Sequence, residues 1–404
     1  MDLLFLCHCV PYPPNKGEKI RAYQEIRTLA KTQGVHLACF ARSAEDALNI
    51  NALKSYCAST YVEVRNFPRA MAWAVFRFAG GHCLNSAFYE SRRMKRYVAN
   101  LCTNVKITGA LVYTMPMMQY VPAGLTHVLD LVDVDSEKWF QYARMKRWGW
   151  LYRKEAKRLH AEEVRAVQQA RLSLLTTENE VAALKSQGQT GPIEPLENGV
   201  DFDYFDPSRT PRLGVLVDRQ YVVFIGTMDY FPNIDAACWF ANDVFPLLRK
   251  ENPSIEFLIV GNHPAKEVLH LTRIKGIVVT GGVPDVRPYL AHARAVVAPL
   301  RLARGIQNKV LEALAMGRYI FASNSVCQTF APTLPEGILC CNSIEEYRKA
   351  ILGSVGLFDA SIRARAKARF TWDHNLEVLV SAFTSSNGTI GQPYALRTNL
   401  PKLD

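Results

Sequence analysis

Val296-Val297-Ala298-Pro299-Leu300, then Arg301 to Arg304, then Gly305-Ile306-Gln307-Asn308-Lys309-Val310-Leu311-Glu312-Ala313-Leu314-Ala315-Met316-Gly317 is the stretch on which the reading of the chain turns. A β-branched run ends at a proline, a loop carries Arg301 and Arg304, and Gly305 precedes an apolar-periodic helix over 307–316. The free N–H groups and the positive end of such a helix attract an anion, and glycine lets a phosphate reach the backbone. Lys309 and Glu312 lie three apart on one helical face, and Asn308 and Glu312 four apart. Glu312 stands more than a turn in, where its carboxylate can receive two vicinal hydroxyls of a ligand held at the helix end. The plainer reading of Lys309 and Glu312 is a surface ion pair, worth about 0.2–0.5 kcal/mol.

Outward from this stretch the second half alternates strand and helix. Strands are predicted at Tyr221–Ile225, Glu256–Val260, 276–280, 295–299 and 319–322, and helices at 233–250, 286–293 and 307–316. The first half repeats the pattern, with strands at 3–9, 36–40, 61–64, 110–113, 127–131 and Leu172–Leu175. Its helices are predicted at 19–31, 153–171 and 176–184, the last capped by Thr177 with Glu180 three residues on. Ile20, Tyr23, Ile26, Leu29 and Ala30 form the expected apolar face of the first helix. Such alternation predicts an α/β chain of two Rossmann-like, doubly wound parallel sheets. Residues 186–195, rich in Gly, Gln and Pro, read as the break between them. The expected domains are 1–195 and 196–370, with a closing helix over 371–386 returning to the first and a loose tail over 387–404. Ligands are expected in a cleft between the two domains.

The 404 residues are 49% hydrophobic and 21% charged, enough apolar material for sizeable cores, which excludes disorder for the bulk. No run approaches the roughly 18 apolar residues of a membrane span. The first residues read as a strand, without the basic region of a secretory signal. The ten cysteines match neither a zinc nor a disulfide framework, even at Cys7-His8-Cys9 and Cys340-Cys341, and most are expected as buried thiols in a reducing cytoplasm. The net charge is +11, and residues 1–200 hold 26 Lys/Arg against 18 Asp/Glu, so an anionic partner is expected there. Arg144–Arg158 holds seven basic residues and one acid, with Trp148, Trp150, Leu151 and Tyr152 among them. Arg65–Lys106 holds eight and one, with Trp73, Phe76 and Phe78. Basic and aromatic surface of this kind suits an anionic membrane face, and the plainer reading is a solvated helix packed through its aromatics. No nucleic-acid module accompanies the charge.

The 296–317 stretch resembles the donor-binding motif of glycosyltransferase family 4, retaining enzymes of the GT-B fold. Other segments resemble the same family in the same order. They are the loop Pro11-Tyr12-Pro13-Pro14-Asn15-Lys16-Gly17, the turn Glu197-Asn198-Gly199-Val200-Asp201 and the loop Phe224-Ile225-Gly226-Thr227-Met228-Asp229. Next come the loop Gly281-Gly282-Val283-Pro284-Asp285-Val286-Arg287 and the late segment Thr371-Trp372-Asp373-His374-Asn375. The closest likeness is to the sugar transferases of exosortase-linked exopolysaccharide clusters, and it spans residues 1 to about 385. It implies a donor site of Gly226, Thr227, Asn233, Gly261, Gly282, Val283, Arg301, Gly305, Ile306, Gln307 and Asn308. It also implies catalysis by Arg304, Lys309 and Glu312, with Glu312 on the ribose.

Two departures matter. The family's first glutamate falls at Arg304, and the usual Arg/Lys pair of the 224–229 loop is replaced by Met228 and Asp229. Arg301, Arg304 or Lys309 is therefore expected to neutralise the diphosphate. Cations can stabilise the leaving group without metal, and no Asp-x-Asp sits at a strand end in the second half, so no metal or other cofactor is expected. Asp133 and Asp135, in the first half, are candidates for orienting the acceptor or acting as base, or else for capping the next helix, as Ser136 also could. His8, Lys16 and Gly17, at the end of the first strand, are the remaining acceptor candidates; a glycine in a rigid turn also serves simply for its positive φ. The expectation is a cytoplasmic hexosyltransferase, peripheral on the inner membrane face, using a nucleotide-diphosphate sugar and a glycan or lipid-linked acceptor. A nucleotide-sugar epimerase of the same fold and a non-catalytic nucleotide-binding scaffold are the alternatives.

Overall fold

The computed structural model describes residues 1–384 except 146, 212, 217–218 and 354–357. The chain divides into two units, Met1–Leu196 with the chain from Leu376 on, and Glu197–Asn375.

The first unit holds a seven-stranded parallel sheet: β1 (Asp2–Cys7), β2 (Gly34–Ala41), β3 (Ser59–Val64), β4 (Ile107–Tyr113), β5 (His127–Val132), β6 (Leu172–Leu175) and β7 (Ile193–Pro195). The spatial order is β3-β2-β1-β4-β5-β6-β7. The second unit holds six parallel strands: β8 (Tyr221–Ile225), β9 (Glu256–Val260), β10 (Ile277–Gly281), β11 (Ala295–Ala298), β12 (Ile320–Ser323) and β13 (Ile338–Cys341), in the order β10-β9-β8-β11-β12-β13. Central strands such as β1 and β8 are apolar along nearly their whole length and buried, as parallel sheets covered by helices on both faces require. In each sheet the order reverses beside the first strand, between β1 and β4 and between β8 and β11. The carboxyl ends at such a reversal are where doubly wound sheets bind ligands.

The first strand stops at Cys7, two residues short of its expected end, because the chain bends at His8 and Cys9. β7 lies inside the segment read as a break. It is a three-residue edge strand, where Pro195 costs no ladder bond, paired through Ser173↔Ile193. β13 and the helices Phe67–Ala79 and Arg92–Asn104 were not assigned from sequence. The single helix expected over 233–250 is broken by a π-type segment, Phe240–Val244, just before Pro246.

Helix Gly17–Leu29 corrects another expectation. It buries Arg21, Ala22, Glu25 and Ile26, while Ile20 and Tyr23 stay half-buried. The cause is Asp130 on β5. Arg21 grips it through Nε at 2.6 Å and Nη2 at 2.9 Å, and Nη1 donates to the Leu196 carbonyl at 2.5 Å. A buried charge needs such a partner, and that requirement turns the helix.

Thr177 caps its helix as expected, accepting from the Glu180 amide at 3.1 Å. Eight cysteines are free, and Cys327 and Cys340 form a disulfide that the spacing did not reveal. In place of one closing helix the chain forms Trp372–Asn375, in the second unit, and Glu377–Thr384, in the first. Asn375 Nδ2 donates to the carbonyls of Glu197 and Asn198, which ends the first piece. Residues 385–386 of the expected helix and the expected tail 387–404 lie outside the described residues. Among the described residues no helix is long and apolar enough to cross a membrane.

Candidate active site

In the second unit the reversal between β8 and β11 gathers most of the predicted donor residues. Gly226 follows β8, and its amide bonds the Val260 carbonyl at 3.0 Å. A Cβ there would stand 2.7 Å from Asn233 Nδ2 and 2.9 Å from Lys309 Nζ, so any larger residue displaces these two side chains. At Gly261, just after β9, a Cβ would lie 1.7 Å from the Gly226 carbonyl oxygen. Met228 NH to Asn262 O, at 2.8 Å, and Gly261 NH to Gly281 O, at 3.1 Å, knit the three loops together. Gly282 packs on the Asn262 side chain, and half-buried Val283 rests on the core of this unit.

Lys309 reaches this point from helix Asn308–Ala315. Its ammonium donates to Asn233 Oδ1 at 2.6 Å and lies 4.4 Å from the centroid of the buried Phe224 ring. Asn233 Nδ2 in turn donates to the Thr227 carbonyl at 2.9 Å. The plain surface ion pair of Lys309 with Glu312 is thus replaced by a set of polar groups around Gly226. Burial pulls Lys309 down to about 7, opposed by the Glu312 charge. Burial likewise pushes Glu312 up to about 7, opposed by Lys309. An anion beside Lys309 would restore its charge.

The 299–307 loop is held by its own groups. Gly305 has a positive φ of 61°, and Gln307, the residue before the helix, donates from Nε2 to the carbonyls of Arg304 and Gly305 at 3.0 and 3.3 Å. Ile306 is buried, and Asn198 Nδ2 donates to Asn308 Oδ1 at 3.1 Å, so Asn308 anchors the 197–201 turn. Arg304 is half-buried. Arg301 is exposed and paired with Asp235, 2.8 Å from Nε to Oδ2.

Tyr204, which carried no expected role, joins Asp285 and Arg287 of the 281–287 loop. Arg287 lies 4.1 Å from the Tyr204 ring centroid and grips Asp285 through Nε, at 3.0 Å, and Nη2, at 2.7 Å. Burial raises the Tyr204 hydroxyl, with the Asp285 and Glu312 charges adding to the shift. The signal available in sequence was Asp285-x-Arg287 after the paired glycines.

At the matching reversal of the first unit the residues divide. His8 stacks on Tyr113 and meets Tyr89 edge-on, both with centroids 5.8 Å away, and its Nδ1 is 3.0 Å from Thr114 Oγ1. Lys16 is the extended residue that opens helix Gly17–Leu29, and Gly17 is the first helical residue, which removes the positive-φ explanation for it. Asp133 Oδ1 accepts from Thr176 Oγ1 at 2.8 Å, and Asp135 begins helix Asp135–Met145. Ser136 lies inside that helix, its amide donating to the buried Glu163 carboxylate at 3.0 Å and its hydroxyl at 2.5 Å.

Residues 219–355, about a third of the chain, match the family described as glycosyl transferases group 1. No curated protein sequence matches the chain. Among solved structures, HepE of Anabaena in complex with UDP and glucose is 14% identical, covering 95% of this chain and 100% of that one with a TM-score of 0.66. Sucrose-phosphate synthase of Thermosynechococcus elongatus is 15% identical, covering 93% and 96% at 0.63. WaaG, a glycosyltransferase involved in lipopolysaccharide biosynthesis, is 15% identical, covering 96% and 97% at 0.60. At these identities the likeness defines the fold, which is GT-B, with two Rossmann-like domains. Together with the family match in the second unit, it supports a group 1 glycosyltransferase.

Proposed function

We propose that the chain is a retaining, metal-independent hexosyltransferase that moves a sugar from a nucleotide-diphosphate sugar to a glycan or lipid-linked acceptor in exopolysaccharide biosynthesis. The observation that carries the reading is the Lys309 ammonium, drawn down by burial and set against Gly226 where the strand order reverses. The diphosphate lies along Gly226, Thr227 and the 304–307 backbone, its charge met by Lys309 and Arg304. Arg301 contributes only on leaving Asp235, an exposed pair of small worth. Glu312 receives the ribose hydroxyls, and Tyr204 with Arg287 offers a flat face for the base. As the sugar–phosphate bond breaks, negative charge develops on the leaving diphosphate, and fixed cations stabilise it more than they stabilise the ground state. Uridine is the base to try first, since HepE is solved with UDP.

The first unit takes the acceptor, with Lys16, Gly17, Asp133 and Asp135 as its contacts. The membrane reading rests on helices Phe67–Ala79 and Gly149–Gln169, joined where Arg158 donates to the Phe78 carbonyl and covers its ring at 4.4 Å. Phe67, Trp73, Phe76, Trp148 and Trp150 are exposed on them among lysines and arginines, as an anionic bilayer favours. Thermal-shift measurements with the four nucleoside diphosphates, with and without chelator, test the donor assignment. A rise in melting temperature with one base, unchanged by chelator, is expected; no rise with any base favours the scaffold.

A further inference from the structure

We propose a zinc site at the end of β1, formed by Cys7 Sγ, a ring nitrogen of His8 and Cys9 Sγ, independent of the donor reading. In a regular strand these side chains would alternate between the faces of the sheet. The bend at His8 and Cys9 breaks that alternation and brings the three ligand atoms within 4.8 Å of one another. The two sulfurs are 4.0 Å apart. Two sulfurs each about 2.3 Å from a tetrahedral zinc are about 3.8 Å apart, so the ion fits after a shift of a few tenths of an ångström.

The surroundings suit a metal ligand. Thr114 Oγ1 holds His8 Nδ1 at 3.0 Å, the kind of outer contact that orients a ligating imidazole. The ring is also fixed between Tyr113 and Tyr89. Thr114 adopts a φ of 70°, costly for a β-branched residue, and in doing so follows β4 directly into this contact. Charge balance selects the ion: two thiolates and a neutral imidazole make a neutral site with Zn2+, whereas Cu+ would leave a net negative charge among buried groups. Binding forms two Zn–S bonds and one Zn–N bond, and the thiol protons, with any proton on the ligating nitrogen, leave to solvent. Ligation through Nε2 gives up a 3.7 Å approach to Glu18. The fourth position goes to water.

The test uses the full chain, reduced and stripped of metal, with Co2+ as a spectroscopic probe and Zn2+ as competitor. One equivalent of Co2+ is expected to give thiolate charge-transfer absorption and tetrahedral visible bands, removed by one equivalent of Zn2+. X-ray absorption of the zinc form should show two sulfur neighbours at about 2.3 Å and one nitrogen at about 2.0 Å. Thr114→Val should weaken Zn2+ by about 10-fold. Cys9→Ser should weaken it by about 100-fold or more, read beside circular dichroism. Cys327→Ser with Cys340→Ser should retain the bands, since reduction frees that pair. Absence of the charge-transfer band, an oxygen- and nitrogen-only shell, or bands that survive in a folded Cys9→Ser protein would overturn the site.

Discussion

The two sheets share a strand order but finish their reversal points in opposite ways. At the ends of β8 and β9 the chain is pared to glycine: Gly226 and Gly261 each lie where a Cβ would collide. At the ends of β1 and β4 the space is filled with side chains. His8 lies between two tyrosine rings, and Arg21 and Asp130 are locked in a buried pair. Bare backbone suits a phosphate, which needs close N–H groups and one or two cations. A filled, rigid end suits recognition by side chains, and its stability rests on charges with no access to water. The same architecture thus carries a bare end, which we propose takes the diphosphate, and a filled end, in the unit that we propose takes the acceptor.

Breaking the buried pair should give the largest effect. Arg21→Met leaves Asp130 and Glu25 buried without their cation and is expected to cost the first unit about 3–5 kcal/mol in urea unfolding. Donor affinity at the second unit should be unchanged. A loss below about 1 kcal/mol would mean the pair is no more than a surface contact.

Next in size is Glu312→Ala, expected to lower kcat/KM for transfer about 100-fold, near 2.7 kcal/mol, with the melting temperature kept. Unchanged turnover would remove Glu312 from the site. Gly226→Ala should follow, weakening the nucleoside diphosphate about 10-fold by displacing Asn233 and Lys309. Equal binding would show that the Lys309 position is immaterial.

The smallest effect is a proton count. Lys309 sits near 7, so a diphosphate binding at pH 8 restores its charge and takes up a fraction of a proton. Glu312 also sits near 7, and ribose hydroxyls favour its ionised form, so binding at pH 6 releases a fraction of a proton. Calorimetry in buffers of different ionisation enthalpy should show this reversal of sign. Lys309→Met should lose the uptake at pH 8 and keep the release at pH 6.

The same contrast explains how much could be read from the sequence. The second sheet was legible because its strands are apolar runs bounded by glycine, and Gly226, Gly261, Gly282 and Gly305 mark their own loops. Lys309 was legible as a cation in the first turn of its helix, but not its bond to Asn233, 76 residues away. In the first unit, periodicity placed Ile20 and Tyr23 inside and missed Arg21 and Glu25, because a long-range partner on β5 overrode the apolar pattern. β7 and β13 escaped because edge strands of three or four residues carry too little period to register. Tyr204 lay hidden for a similar reason: only folding brings it onto Arg287.

A crystal structure of the full chain with UDP tests the central claim most directly. The account predicts a diphosphate within hydrogen-bond distance of Lys309 Nζ and the backbone at Gly226 and Thr227, with the ribose hydroxyls on Glu312. A diphosphate bound away from Lys309, or a ribose turned from Glu312, would contradict it.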